Sequence, residues 1–207
     1  MPESPINLAV LVSGSGTTLQ NILDQIKAGH LNAHVSLVIG SKAGLLGLER
    51  AARADIPSYV IDRREFSSCA EFSRRIFELC TDARADLVCM AGWLCLVEVP
   101  PAFAGRVMNI HPALLPSFGG RGMYGRKVHE AVLAHGCKIS GCTVHFVDNT
   151  YDTGPIILQR TCPVHDTDTP DSLAHRIFEE EKIAYPQAIR LFQQGRLHID
   201  GRLVVVK

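Results

Sequence analysis

The chain has 207 residues, 46% of them apolar, and its 21 Lys and Arg are balanced by 21 Asp and Glu. That is enough apolar material for one domain, residues 1–207, around a continuous core. A neutral balance without a basic run excludes the electrostatic footprint of a nucleic-acid partner, and no apolar stretch reaches the roughly 20 residues that span a bilayer. The start, MPESPINLAVLVSGSG, lacks the basic region and cleavage site of a secretory signal, so the expected compartment is cytoplasmic. Cys69, Cys80, Cys89, Cys95, Cys137, Cys142 and Cys162 are odd in number and contain no Cys-x-x-Cys pair. They read as reduced thiols rather than a disulfide framework or zinc ribbon. The histidines form no short-spaced cluster, so no metal is expected.

In chain order, Asn7 to Val12 reads as a buried strand, and Leu19, Ile22, Leu23 and Ile26 then show helical spacing up to Gly29. The unit recurs: Val35 to Ile39 then Leu45 to Ala54; Ser58 to Ile61 then Phe66 to Thr81; Asp86 to Ala91 then Pro100 to Ala104; Arg106 to Ile110 then Gly125 to His135. Short apolar strands alternating with helices predict the α/β class, an open, mostly parallel twisted sheet with helices on both faces. After Gly136 the pattern changes to two apolar runs, Gly141 to Val147 and Pro155 to Val164, separated by a polar turn. These predict an antiparallel strand pair in the C-terminal half. Thr169-Pro170-Asp171 opens a long helix towards Gln194 with a cap, a proline at the first helical position and an acid in the first turn. Pro186 is expected to kink or divide it.

The first strand runs into Ser13-Gly14-Ser15-Gly16-Thr17-Thr18, and the first helix follows at once. Glycines allow close backbone approach, and the free amides and dipole of a helix start favour an anion. A dinucleotide fingerprint needs glycine where Leu19 stands and an acid after the second strand, where Gly40-Ser41-Lys42 stands. The P-loop pattern also fails, since no Gly-Lys-Ser/Thr follows. Two readings remain: a site for one small anion such as a phosphate, or a tight strand-to-helix turn without a ligand.

Asn109 and His111 are two residues apart at the end of a predicted strand, so they share one face. Pro112 holds His111 extended. In open α/β sheets, ligands bind beyond the carboxyl ends of strands. An amide donor and an imidazole there can stabilise an oxyanion and exchange a proton, or serve as a buried structural doublet. In the later turn, Asp152 precedes Thr153-Gly154. Near His111 it would favour the imidazolium and orient it; otherwise it is ordinary turn chemistry.

Three spaced segments carry a family resemblance. Ser13 to Gln20, Ala91-Gly92-Trp93 with Asn109-Ile110-His111-Pro112 to Phe118, and Gly141 to Val147 through Tyr151-Asp152-Thr153-Gly154-Pro155 resemble the phosphoribosylglycinamide formyltransferases of purine synthesis, nearly end to end and in order. The resemblance implies a small-molecule enzyme with 10-formyltetrahydrofolate as co-substrate and no metal. It implies Asn109, His111 and Asp152 as the catalytic three, with Asp152 keeping His111 charged. Ser15, Gly16, Thr17 and Thr18 would hold the ribose phosphate and Glu181 the glycinamide end. Trp93, Leu94, Cys95, Leu96 and Val97, with Asn109, Asp148 and Asp152, would cradle the folate, and Leu115-Pro116 would be cis. His145 would support the site. The chain departs from many relatives at Cys95, where they are basic, and at Lys182, where they carry histidine. Arg121, Arg126 and Lys127 could meet folate carboxylates or the phosphate, or form a solvated loop. Methionyl-tRNA formyltransferases share the motif pair but carry an extra tRNA-binding domain, for which nothing after Lys207 is available. A formyltetrahydrofolate hydrolase or a folate-binding module without turnover would share the same three residues. A monomer and a homodimer both remain open.

Overall fold

The computed structural model describes residues 4–207, and the chain divides into two compact units, one ending at Asn109 and the other running from Ile110 to Lys207. The first unit contains β1 (Ile6–Val12), α1 (Thr17–Lys27), β2 (Ala33–Gly40), α2 (Leu46–Arg53), β3 (Ser58–Val60), α3 (Cys69–Asp82), β4 (Leu87–Met90) and most of β5 (Val107–His111). Its strands run β3-β2-β1-β4-β5, and every pairing is parallel. Leu8 to Val12 are wholly buried, which is why β1 reads as an unbroken apolar run rather than an alternating one.

The chain lays down β1, β2 and β3 in one direction and then returns across β1 to place β4 and β5. With right-handed crossovers, α1 and α2 fall on one face and α3 on the other. The reversal opens a crevice beyond the carboxyl ends of β1 and β4, the usual ligand position in such sheets. There Ser13 N donates to Gly92 O at 3.2 Å, and Leu94 N donates to Ser13 Oγ at 3.1 Å. The loops after β1 and β4 are thereby joined.

Two sequence expectations shift in this unit. The helix predicted from Phe66 starts at Cys69, because Ser68 Oγ accepts from Glu71 N at 3.1 Å and so caps it. The segment Pro100 to Ala104 forms only a single 3₁₀ turn, Pro101–Phe103, which buries Phe103 against Phe77 with ring centroids 4.9 Å apart.

The second unit contains α4 (Arg126–Ala134), β6 (Ile139–Phe146), β7 (Ile156–Pro163), α5 (Pro170–Gln193), β8 (Leu197–Asp200) and β9 (Leu203–Val206). Its strands run β6-β7-β9-β8. β6 and β7 form the expected antiparallel pair, β7 meets β9 in parallel, and β8 and β9 form a second hairpin. The second hairpin, after Gln194, has no counterpart among the elements expected from the sequence. The signal for that hairpin is Asp200-Gly201, with Gly201 at φ 59°, between two short alternating runs. Among the described residues, no helix is long and apolar enough to cross a membrane.

Pro186 does not divide α5, which continues from Pro170 to Gln193. Tyr185, Pro186, Ala188 and Ile189 are all buried, so tertiary packing outweighs the lost backbone bond. The helix start is set by Thr169 and Ser172, which cap each other reciprocally, and by Asp168. That carboxylate accepts from Arg176 Nη1 at 2.6 Å and Nη2 at 2.8 Å, from Ser172 Oγ at 2.7 Å and from His165 N at 2.8 Å. The Arg176 bond, above all, holds Asp168 far below the ordinary carboxylate range. Asp168→Asn is expected to remove about 2 kcal/mol of charge-assisted bonding and to lower Tm by about 4–8 °C. Because the folded carboxyl is depressed, its contribution is fully present above the unfolded value of about 3.9 and fades below it. Thermal melts of the two proteins should therefore converge progressively as pH falls from about 3.9 towards the strongly depressed folded value.

Candidate active site

The glycine turn from Ser13 to Thr18 belongs to the first unit. Gly16 caps α1 in a left-handed conformation, φ 70° and ψ 27°, with no side chain capping the helix and no acid in its first turn. The amides that open α1 are therefore not served by a capping side chain, which suits an incoming anion. Gly14 and Ser15 turn their carbonyls to α2: Gly14 O accepts from Gly47 N at 3.2 Å, and Ser15 O accepts from Arg50 Nε at 2.9 Å. Arg50 Nη1 also donates to Gln20 Oε1 at 3.0 Å. Arg50 thus fixes the loop and sets a positive charge beside it, a role with no sequence signature. Ser15 and Thr17 are exposed and Thr18 is buried.

The expected folate-contacting run after β4 is mixed in character. Trp93 is buried and stacks on Phe72, with centroids 6.1 Å apart and planes at 11°. Its Nε1 is buried without a hydrogen-bond partner among the described residues. Val97 belongs to the core, Leu94 is exposed, and Cys95 and Leu96 lie between. Burial, then nearby Asp62, pushes the Cys95 thiol up.

Asn109 and His111 both lie on β5, two residues apart. His111 is buried, and its Nε2 donates to Phe118 O at 2.8 Å; a carbonyl only accepts, which fixes the proton on Nε2. Nδ1 is left 3.7 Å from Asp152 Oδ2. The other Asp152 oxygen lies 3.7 Å from His145 Nε2, while His145 Nδ1 donates to Phe146 O at 2.7 Å. Gly120 N donates to Asp152 Oδ2 at 2.8 Å. The carboxylate therefore sits between two imidazoles and a backbone amide.

Electrostatics corrects one expectation. Burial pulls His111 below its ordinary value, and the Asp152 charge and the Phe118 bond raise it without overcoming that effect. The net direction favours the neutral imidazole, against the expectation that Asp152 keeps His111 charged. Burial also opposes ionisation of Asp152. The His145 side chain, the His111 imidazole and the Gly120 amide outweigh this and hold the carboxyl below its usual range. His129 on α4 lies near enough that His111 lowers its pKa further, after burial.

Backbone strain marks the same place. Phe118 and Asp152 adopt φ 55° and 57°, unusual for side-chain-bearing residues and frequent where function over-determines the backbone. The Leu115-Pro116 bond is cis, as the resemblance implied. Asp148 turns its carboxylate onto its own turn, accepting from Thr153 Oγ1 at 2.9 Å and from Thr150 N at 2.9 Å. Arg126 is committed to Glu130 and Asp171, and Lys127 lies over the Tyr124 ring at 4.9 Å. Glu181 on α5 has its carboxyl pushed up to about 7 by burial, so a cation placed beside it would gain a partner. Among the described residues no group of three or more His, Cys, Asp or Glu could hold a metal ion.

A sequence profile for the formyl transferase family matches residues 6–189 and so spans both units. Phosphoribosylglycinamide formyltransferase of Haemophilus influenzae is 36% identical over 198 residues, covering 95% of this chain and 91% of its own length. The chain belongs to this formyltransferase family. The crystal structure of glycinamide ribonucleotide transformylase 1 from Symbiobacterium toebii superposes with a TM-score of 0.89 at 43% identity, covering 98% of this chain and 94% of that one. The trifunctional purine biosynthetic protein adenosine-3 of Gallus gallus is 37% identical over 196 residues, 94% of this chain; the match spans only 19% of that longer polypeptide.

Proposed function

We propose that this protein transfers the formyl group of 10-formyltetrahydrofolate to the amine of glycinamide ribonucleotide in purine biosynthesis. The observation that carries this reading is Asp152 seated 3.7 Å from His111 Nδ1, in a chain that matches formyltransferases along nearly its whole length. Gly16, Thr17 and Thr18, with Ser15, hold the acceptor's phosphate, and Glu181 faces its amine end. Trp93 to Val97 and the turn from Asp148 to Asp152 receive the folate.

In this mechanism the substrate amine attacks the formyl carbon. Asn109 and His111 stabilise the oxygen of the tetrahedral adduct as it becomes negative. The developing charge raises the proton affinity of His111, and Asp152 steadies the imidazolium that results. Collapse breaks the bond from the formyl carbon to the folate nitrogen. The proton lost by the amine passes to that nitrogen with the help of Asp152.

The test mixes the protein, 10-formyltetrahydrofolate and glycinamide ribonucleotide and follows release of the unformylated folate by absorbance. Release that depends on the acceptor is the expected result. Equal release without acceptor would identify a hydrolase, and folate binding without release would identify a binding module.

A further inference from the structure

We infer that Gln159, acting with Thr143, is a positioning residue that fixes the segment carrying His111. The inference rests on the formyltransferase reading for its kinetics, but its geometry lies within the second unit. Thr143 and Gln159 are cross-strand neighbours on β6 and β7. Thr143 is wholly buried. Its Oγ1 donates to Ala113 O at 2.7 Å and accepts from Leu115 N at 3.0 Å and from Gln159 Nε2 at 2.9 Å. One hydroxyl proton and two lone pairs are thereby used in full. Gln159 Nε2 spends its second proton on Leu115 O at 3.0 Å, and that acceptor fixes which way the amide faces.

Three hydrogen bonds thus reach residues 113–115, which follow His111 and Pro112 at the end of β5, and a fourth ties Gln159 to Thr143. The far side of the same segment is tied to the catalytic carboxylate. A Cβ built on Gly119 would stand 2.5 Å from Leu115 Cδ2 and 3.2 Å from Asp152 Cβ, so Leu115, Gly119 and Asp152 are packed without slack. His111 Nε2 bonds to Phe118 O, and Gly120 N bonds to Asp152. A segment pinned at 113–115 and again at 118–120 has little freedom to alter the spacing of His111 and Asp152. Also on β6, two residues beyond Thr143, His145 reaches Asp152 from another side. The charged and titratable groups around His111 are accordingly Asp152, His145 and His129.

Gln159 is exposed along β7, so its replacement need not unfold the protein. Gln159→Met keeps length and removes both donors. Loss of positioning is expected to lower kcat about tenfold and leave both KM values within about threefold, since misplacement of reacting groups acts on the transition state. The His111 titration, followed by NMR, is expected to move up towards the free-imidazole value of about 6.5 as the segment loosens. Thr143→Ser retains the donor and both acceptors and should stay near wild type, whereas Thr143→Val should match or exceed the Gln159→Met defect. Wild-type kcat and an unmoved His111 midpoint in Gln159→Met would overturn the proposal. A lower Tm without a kcat change, or a KM defect alone, would do the same. If the wild-type protein does not formylate, the functional reading fails, and the His111 midpoint still decides the positioning role.

Discussion

Asp152→Asn is expected to lower turnover by about two or more orders of magnitude, because proton transfer assisted by a placed group supplies an acceleration of that size. The substitution isolates charge from structure. Asp152 holds φ 57°, a conformation that asparagine adopts readily. The amide oxygen can still accept from Gly120 N, so the turn has no cause to move. What disappears is the negative charge that faces His111 Nδ1 and His145 Nε2 at 3.7 Å each. Without it a buried imidazole has no counter-charge as the oxyanion forms. Circular dichroism melts should show a folded protein, and steady-state assays with both substrates should show the loss in kcat. Near-normal turnover would remove Asp152 from the mechanism.

The residues with a directional signature were legible in the sequence. The apolar strands of the first unit, the glycine turn after β1 and the motif from Asn109 to Pro116 could be read because periodicity, turn chemistry and proline each constrain the backbone locally. The approach of Asp152 to His111 depended on the family resemblance, since 40 residues of intervening chain leave no local trace of the contact. Burial of His111 was not legible at all. It shifts His111 opposite to the direction expected from Asp152, because desolvation is a property of the packed environment and not of the motif. The supporting bonds from Arg50, Thr143 and Gln159 were equally silent: each is a common residue in an ordinary helix or strand, and only the register of β6 on β7, or the packing of α2 on the first loop, gives it a partner. Pro186 does not divide α5 for the related reason that its buried neighbours sustain the helix across the missing backbone bond.

For the anion loop, Gly16→Ala is expected to raise KM for the phosphorylated acceptor about thirtyfold or more, roughly 2 kcal/mol of binding, with kcat and the folate KM little changed. The cause is a close backbone approach. A Cβ on Gly16 would stand 2.5 Å from Gly47 Cα and 3.3 Å from Arg50 Cδ, and main chain cannot swing aside as a flexible side chain can. The left-handed conformation at φ 70° adds about 1–2 kcal/mol against any residue with a Cβ. To relieve the clash α2 must retreat, and the bonds from Gly47 N to Gly14 O and from Arg50 Nε to Ser15 O are then broken. The loop loses both the shape that presents its amides and the nearby guanidinium. Gly14→Ala supplies the control, because a Cβ there meets open space. It should keep nearly wild-type KM, so that the contrast between the two alanines reports the packing of Gly16 against α2 rather than the general loss of a glycine. Equal acceptor KM for wild type and both variants would reduce the loop to a strand-to-helix turn and leave the phosphate to be held elsewhere.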